Sequence, residues 1–157
     1  MEYVSRSHEE TKRIARNFIT DILKIGTKRE RALVIALYGD LGVGKTYFTQ
    51  AIGEALGITE TIPSPTFIIE RVYEINKPPF SKFVHIDAYR ILTVRELSQI
   101  GWDEEVRNPN DIILVEWADK IENALPKDAI KIHFEHREES ERVIKISSDN
   151  KNVKKSK

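Results

Sequence analysis

The chain contains no cysteine in its 157 residues, which excludes disulfides and thiolate metal sites. It has no excess of either charge. Lys and Arg together number 25, as do Asp and Glu, so no global field draws it to nucleic acid or to a membrane. It has no apolar run of membrane-spanning length, and membrane association is not expected. Its first residues, Met1-Glu2-Tyr3-Val4-Ser5-Arg6, lack the apolar centre of a signal peptide. Together these absences lead to the expectation of a cytoplasmic protein. There is also no internal repeat and no shift in composition that would mark a second domain. The length suits one domain with a sizeable core, expected over residues 1–150, followed by a Lys-rich, disordered tail over 151–157.

What is present is concentrated in one stretch. Gly39-Asp40-Leu41-Gly42-Val43-Gly44-Lys45-Thr46 fits G-x-x-x-x-G-K-[ST], a phosphate-binding loop. The apolar run Ala32-Leu33-Val34-Ile35-Ala36-Leu37-Tyr38 before it reads as a buried strand. Helix-compatible sequence follows from Lys45 to Leu56, with Gly57 placed to end it. A strand, loop and helix in this order turn backbone N–H groups around an anion, and the helix N-terminus adds its partial positive charge. Lys45 is expected to reach the β- and γ-phosphates and Thr46 to offer its hydroxyl to Mg²⁺.

The remaining chain alternates. Ser7-His8-Glu9-Glu10 resembles a capping box, and Ile14, Phe18 and Ile22 form a helical stripe that ends near Gly26. Residues 62–75 open with prolines and continue as a β-favouring run, with a turn at Asn76-Lys77-Pro78-Pro79. Strands are expected at Phe83–Asp87 and Ile112–Glu116. Thr93-Val94-Arg95-Glu96 should cap a short helix to about Ile100, and a further helix is expected from Ala118 to Ala124. Residues 130–134 and 143–146 alternate as a closing antiparallel pair. This order predicts a three-layer α/β fold of the P-loop NTPase type, with a largely parallel central sheet and antiparallel additions at an edge.

In such sheets ligands bind beyond the carboxyl ends of the strands. Asp87 and Glu116 are the two carboxylates that close an apolar strand run. A nucleotide-bound Mg²⁺ needs hard oxygen ligands, and hydrolysis needs a group that orients water. Either acid could serve either need. Ser64 and Thr66 lie in a Pro-bracketed segment that reads equally as a nucleotide switch or a strand-entry turn. His85 reads as a packed, hydrogen-bonded residue rather than a base. Trp117 reads as core or as a contact platform, and Arg90 is the arginine near a strand end. A GTPase would carry an Asn/Thr-Lys-x-Asp guanine reader; Asn76-Lys77-Pro78-Pro79 lacks the Asp, so ATP is the expected nucleotide.

Four segments together resemble one family. They are Tyr38 to Thr46, Ser64-Pro65-Thr66-Phe67, His85-Ile86-Asp87-Ala88-Tyr89-Arg90 and Val115-Glu116-Trp117. In order and spacing the chain, from about Ser7 to Ile146, resembles the TsaE family, small bacterial ATPases of tRNA threonylcarbamoyladenosine biosynthesis. The resemblance implies that Thr46 and Glu116 bind Mg²⁺, that Asp87 and Lys45 support hydrolysis, and that Ser64–Thr66 acts as a switch. It implies an ATP site formed by Asp40, Leu41, Gly42, Val43, Gly44, Lys45, Thr46 and Tyr47, with Thr11 near the adenine, and a supporting or partner role for Trp117 and Arg90. It implies work with a threonylcarbamoyl-transferase subunit and its pseudo-enzyme partner, and with tRNA only indirectly. Tyr47 stands where a second Thr is common. A small-molecule kinase and a nucleotide-sensing module with negligible turnover are the other readings of the loop.

Overall fold

The computed structural model describes residues 1–26, 28–63 and 69–149. Strand β2 (Leu33–Tyr38) lies in the middle of the sheet and shows why the fold has three layers. Its Leu33, Ile35 and Leu37 point to one face and its Val34 and Ala36 to the other, and all are buried. A strand apolar on both faces must be covered on both. Helices α1 (His8–Ile25) and α2 (Lys45–Ala55) cover the first face with Ile14, Phe18, Ile19, Phe48, Ala51 and Ile52. The short helices α3 (Val94–Gln99) and α4 (Trp102–Arg107) and a 3-10 helix (Ala118–Ala124) cover the second with Leu97, Trp102, Ala118 and Ile121.

The other strands are β1 (Glu2–Ser5), β3 (Glu70–Lys77), β4 (Phe80–Asp87), β5 (Asp111–Glu116), β6 (Ile130–Glu138) and β7 (Glu141–Ser147). They form one seven-stranded sheet in the order β1-β7-β6-β2-β5-β4-β3. The middle four, β6-β2-β5-β4, are parallel. Antiparallel strands stand at both edges, not at one: β3 on β4, and β7 and β1 beyond β6. The Pro78-Pro79 turn explains the second edge, because so short a connection can join only antiparallel neighbours.

Several elements differ from expectation. In α1 the Ser7 side chain accepts from the Glu10 N–H at 3.0 Å, but the Glu10 carboxylate takes the Arg6 N–H at 2.6 Å, one residue before the cap. The full capping box forms at Thr93 and Glu96. Of the stretch 62–75, which opens with prolines and continues as a β-favouring run, β3 takes up the part from Glu70 onward and runs on to Lys77; residues 64–68 lie outside the described residues. The helix expected at Ala118–Ala124 is a 3-10 helix broken at Ile121. β1 and α4 were not anticipated. Each is too short to show a period; β1 is held by pairing with β7, and α4 anchors the second core with Trp102. The expected tail, 151–157, also lies outside the described residues.

One half-buried acid gives the fold a pH signature. The Glu105 carboxyl is pushed up to about 8, first by burial and then by Glu70 and Asp111. The folded state therefore holds a proton that the unfolded state releases near 4.5. Stability is full below the ordinary carboxylate range and falls as pH rises toward 8. Glu105→Gln should flatten the decline of melting temperature between pH 5 and pH 8. Identical slopes for wild type and variant would remove Glu105 from this role.

Candidate functional site

β2 delivers the chain into Gly39–Gly44, and α2 begins at Lys45. Gly39 has φ 138°, and a Cβ there would lie 2.7 Å from the Phe134 carbonyl oxygen, so the loop requires glycine at its start. Beside β2, the ends of β5 and β4 bring in the acids. Glu116 pairs with Leu37 on one side and with Asp87 on the other. Residues alternate along a strand, and Phe83, Ile112 and Leu114 pack in the core under α1 and α2. Asp87 and Glu116 therefore emerge on the same face as α2.

These pieces line one cavity of about 360 Å³. Leu41, Gly42, Gly44, Lys45, Thr46 and Tyr47 form its loop side; Asp87, Tyr89, Arg90, Glu116 and Trp117 form the strand-end side. Asp40 and Val43 do not line it. Asp40 gives its carbonyl to Lys45 Nζ at 2.9 Å, and Val43 is buried in the core. Thr11 does not line it either. It is fully buried, and its hydroxyl lies 2.8 Å from Ser5 Oγ and 3.2 Å from the Ser7 carbonyl. Ser64 and Thr66 lie outside the described residues.

Charge in the cavity is tightly held. Lys45 is only 6% exposed; its ammonium donates to the Gly39 and Asp40 carbonyls and sits 4.3 Å from the centre of the Trp117 ring. Trp117 has φ 57°, the one non-glycine residue in the left-handed region among those described. Such a backbone is sparsely populated and marks functional turns. Burial pulls the Lys45 ammonium below its usual pKa, and Glu116, Asp40, Asp119 and Asp87 oppose that. Burial raises the Asp87 carboxyl, and the Tyr89 N–H, donating to Oδ1 at 2.9 Å, works against it.

Glu116 is 3% exposed. Its Oε1 is 3.3 Å from the Thr49 hydroxyl, which also lies 3.0 Å from the Lys45 carbonyl. Its Oε2 is 3.3 Å from His85 Nε2, close enough for an ion pair but not aligned as a hydrogen bond. His85 is thus packed as expected, but among the described residues its Nε2 has no hydrogen-bond partner. Thr49 was missed in the sequence; it sits one turn after Lys45 on α2 and needed only a helical projection to be found.

The oxygen donors suit a small hard cation that arrives with phosphate. Among the described residues no group of three or more His, Cys, Asp or Glu forms a metal cage. Mg²⁺ does not need one, since it is held by one or two carboxylates together with waters and substrate phosphates. Thr46 and Glu116, lining the same cavity, fit that pattern.

The family described as "Threonylcarbamoyl adenosine biosynthesis protein TsaE" matches residues 5–144. The chain belongs to the TsaE family. The tRNA threonylcarbamoyladenosine biosynthesis protein TsaE of Bacillus subtilis is 38% identical over 115 residues, covering 73% of this chain and 69% of that one. The protein of the same name from Haemophilus influenzae is 29% identical over 138 residues, covering 88% and 84%. The crystal structure of Bacillus subtilis YdiB superposes with a TM-score of 0.72 at 31% identity, covering 98% of this chain and 88% of that one. The match to the TsaE family spans nearly all described elements, from the end of β1 into β7. Among the described residues no helix is long and apolar enough to cross a membrane.

Proposed function

We propose that this TsaE-family chain is a cytoplasmic, single-domain P-loop ATPase, Mg²⁺-dependent, that supports threonylcarbamoylation of adenosine 37 in tRNA by binding and resetting a transferase complex. One observation carries the nucleotide part. The phosphate loop and the strand-end acids Asp87 and Glu116 converge on one cavity with Lys45. Thr46 and Glu116 would hold the metal, which neutralises phosphate charge when bound. Asp87, without a metal partner in this scheme, is left to orient the attacking water. The family membership supports the pathway; the transferase subunit and its pseudo-enzyme partner are the partners that follow from it. A kinase would need a closing lid rich in arginine, whereas Arg90 is the arginine that lines the cavity.

A thermal-shift series tests the site. ATP or ADP with Mg²⁺ at about a hundred times its dissociation constant adds about 2.7 kcal/mol to the folded state. For a chain this size that is on the order of 5–10 °C. Lys45→Ala removes the charge that meets the phosphates and should abolish most of the shift. An unchanged shift would place the nucleotide elsewhere.

Glu116→Gln separates metal from nucleotide. It keeps the size and the contact with Thr49 but loses the charge. Affinity for ADP measured with Mg²⁺ should fall toward the value measured in chelator, where wild type and variant should agree. Equal loss under both conditions would count against a metal role.

A further inference from the structure

Glu116 carries the metal part of the proposed site, yet its carboxylate is nearly enclosed by protein. Its direction is therefore set by what touches it. Two side chains reach it, one at each oxygen. Thr49 of α2 places its hydroxyl 3.3 Å from Oε1. His85 of β4 places Nε2 3.3 Å from Oε2. Both residues are themselves buried, so neither has the freedom of a surface side chain to swing away.

The positions of the two residues explain this bracket. Thr49 follows Lys45 by four residues, one helical turn, on the face of α2 that lies over the strand ends. Its hydroxyl is also 3.0 Å from the Lys45 carbonyl, the usual back-bond of a helical threonine. A hydroxyl has one proton, and two acceptors compete for it here. A threonine that served only its own helix would have no use for the second. His85 shares its face of β4 with Asp87 and pairs with Leu114, two residues before Glu116. It therefore approaches Glu116 from the interior of the sheet. Its Nε2 has no hydrogen-bond partner among the described residues. A buried nitrogen in that state is costly, and packing alone would be served as well by an apolar side chain.

We infer that Thr49 and His85 are positioning residues for Glu116: they hold its carboxylate against the start of α2, where Thr46 lines the same cavity, and the Thr49 hydroxyl is the principal holder. The inference rests on the proposed metal role of Glu116 and extends it to how that role is maintained. Groups that orient a metal ligand from behind typically matter about 10–100-fold in metal affinity. The arrangement also leaves no orphan when Glu116 turns to a cation, because the Thr49 proton already has the Lys45 carbonyl as an acceptor.

Calorimetric titration of the full chain with ADP, once with Mg²⁺ and once in chelator, tests it. Thr49→Val keeps the shape but loses the hydroxyl. It should weaken ADP about tenfold or more with Mg²⁺ and leave binding in chelator within about twofold of wild type. Thr49→Ser restores the hydroxyl and should recover most of the loss. His85→Leu should weaken Mg²⁺-dependent binding severalfold, and His85→Gln, which keeps an N–H donor on a side chain of similar reach, should weaken it less. In a Glu116→Gln background Thr49→Val should have no further effect, because both act through one carboxylate. If Thr49→Val does not fold, Thr49→Ala carries the same comparison. Binding with Mg²⁺ within about twofold of wild type in the folded Thr49 variant, equal losses with Mg²⁺ and in chelator, or a full additional loss in the Glu116→Gln background would overturn the inference. An unaltered Mg²⁺ dependence in His85→Leu would remove His85 from it. Failure of the underlying reading looks different: Glu116→Gln alone would then leave the Mg²⁺ dependence of ADP binding intact, whatever the Thr49 variants do.

Discussion

Asp87→Asn is expected to slow ATP hydrolysis by roughly 10²–10⁴-fold, the scale of general acid–base catalysis, while ADP affinity stays within about twofold of wild type. Asp87 closes β4 directly beside Glu116, lines the cavity and is 9% exposed. Burial raises its pKa, so the carboxylate is a stronger base than an exposed one. Asparagine keeps the shape and the oxygen that accepts the Tyr89 N–H, so the turn at the strand end should survive. What it loses is the charge that can orient or deprotonate water. Phosphate release at saturating ATP, set beside an ADP titration, reads the two effects separately. If Asp87→Asn lost ADP affinity as heavily as Glu116→Gln, the division between metal-holding and water-orienting acids would be wrong.

The parts of this site that were readable in the sequence are those whose chemistry is local. The phosphate loop needs only its own glycines and the strand and helix that flank it. Asp87 and Glu116 stood out because each ends an apolar run, and a strand end in a parallel sheet is where ligands bind. That the two acids are in register across β4 and β5 was not readable, since it depends on strand order. The sheet's outer strands were harder for another reason. β1 has four residues with only Ser5 buried, so it carries no hydrophobic alternation to detect.

Mixing the chain with a threonylcarbamoyl-transferase subunit and its pseudo-enzyme partner is expected to raise ATP hydrolysis by on the order of 10³-fold, within the range of a supplied arginine finger. The cationic side chains lining the cavity are Lys45 and Arg90. Lys45 is engaged by two loop carbonyls and the Trp117 ring, and the charge of Arg90 acts on Asp87. The charge that develops on a transferring phosphoryl group therefore lacks a dedicated cation on the strand-end side, and hydrolysis by the chain alone should be slow. The rim is also open: Leu41 is 86% exposed and Tyr89 55%. A protein surface closing over them would exclude water and strengthen every electrostatic interaction inside. Steady-state phosphate release, with and without the two partners, measures the activation. In the complete mixture with tRNA, wild type should support many rounds of modification and Asp87→Asn few, because an enzyme that binds ATP but cannot hydrolyse it cannot reset the complex. Fast hydrolysis by the chain alone, unresponsive to partners, would indicate a free-standing hydrolase. Passage of labelled γ-phosphate to a small molecule rather than to water would indicate a kinase, and either result would end the resetting scheme.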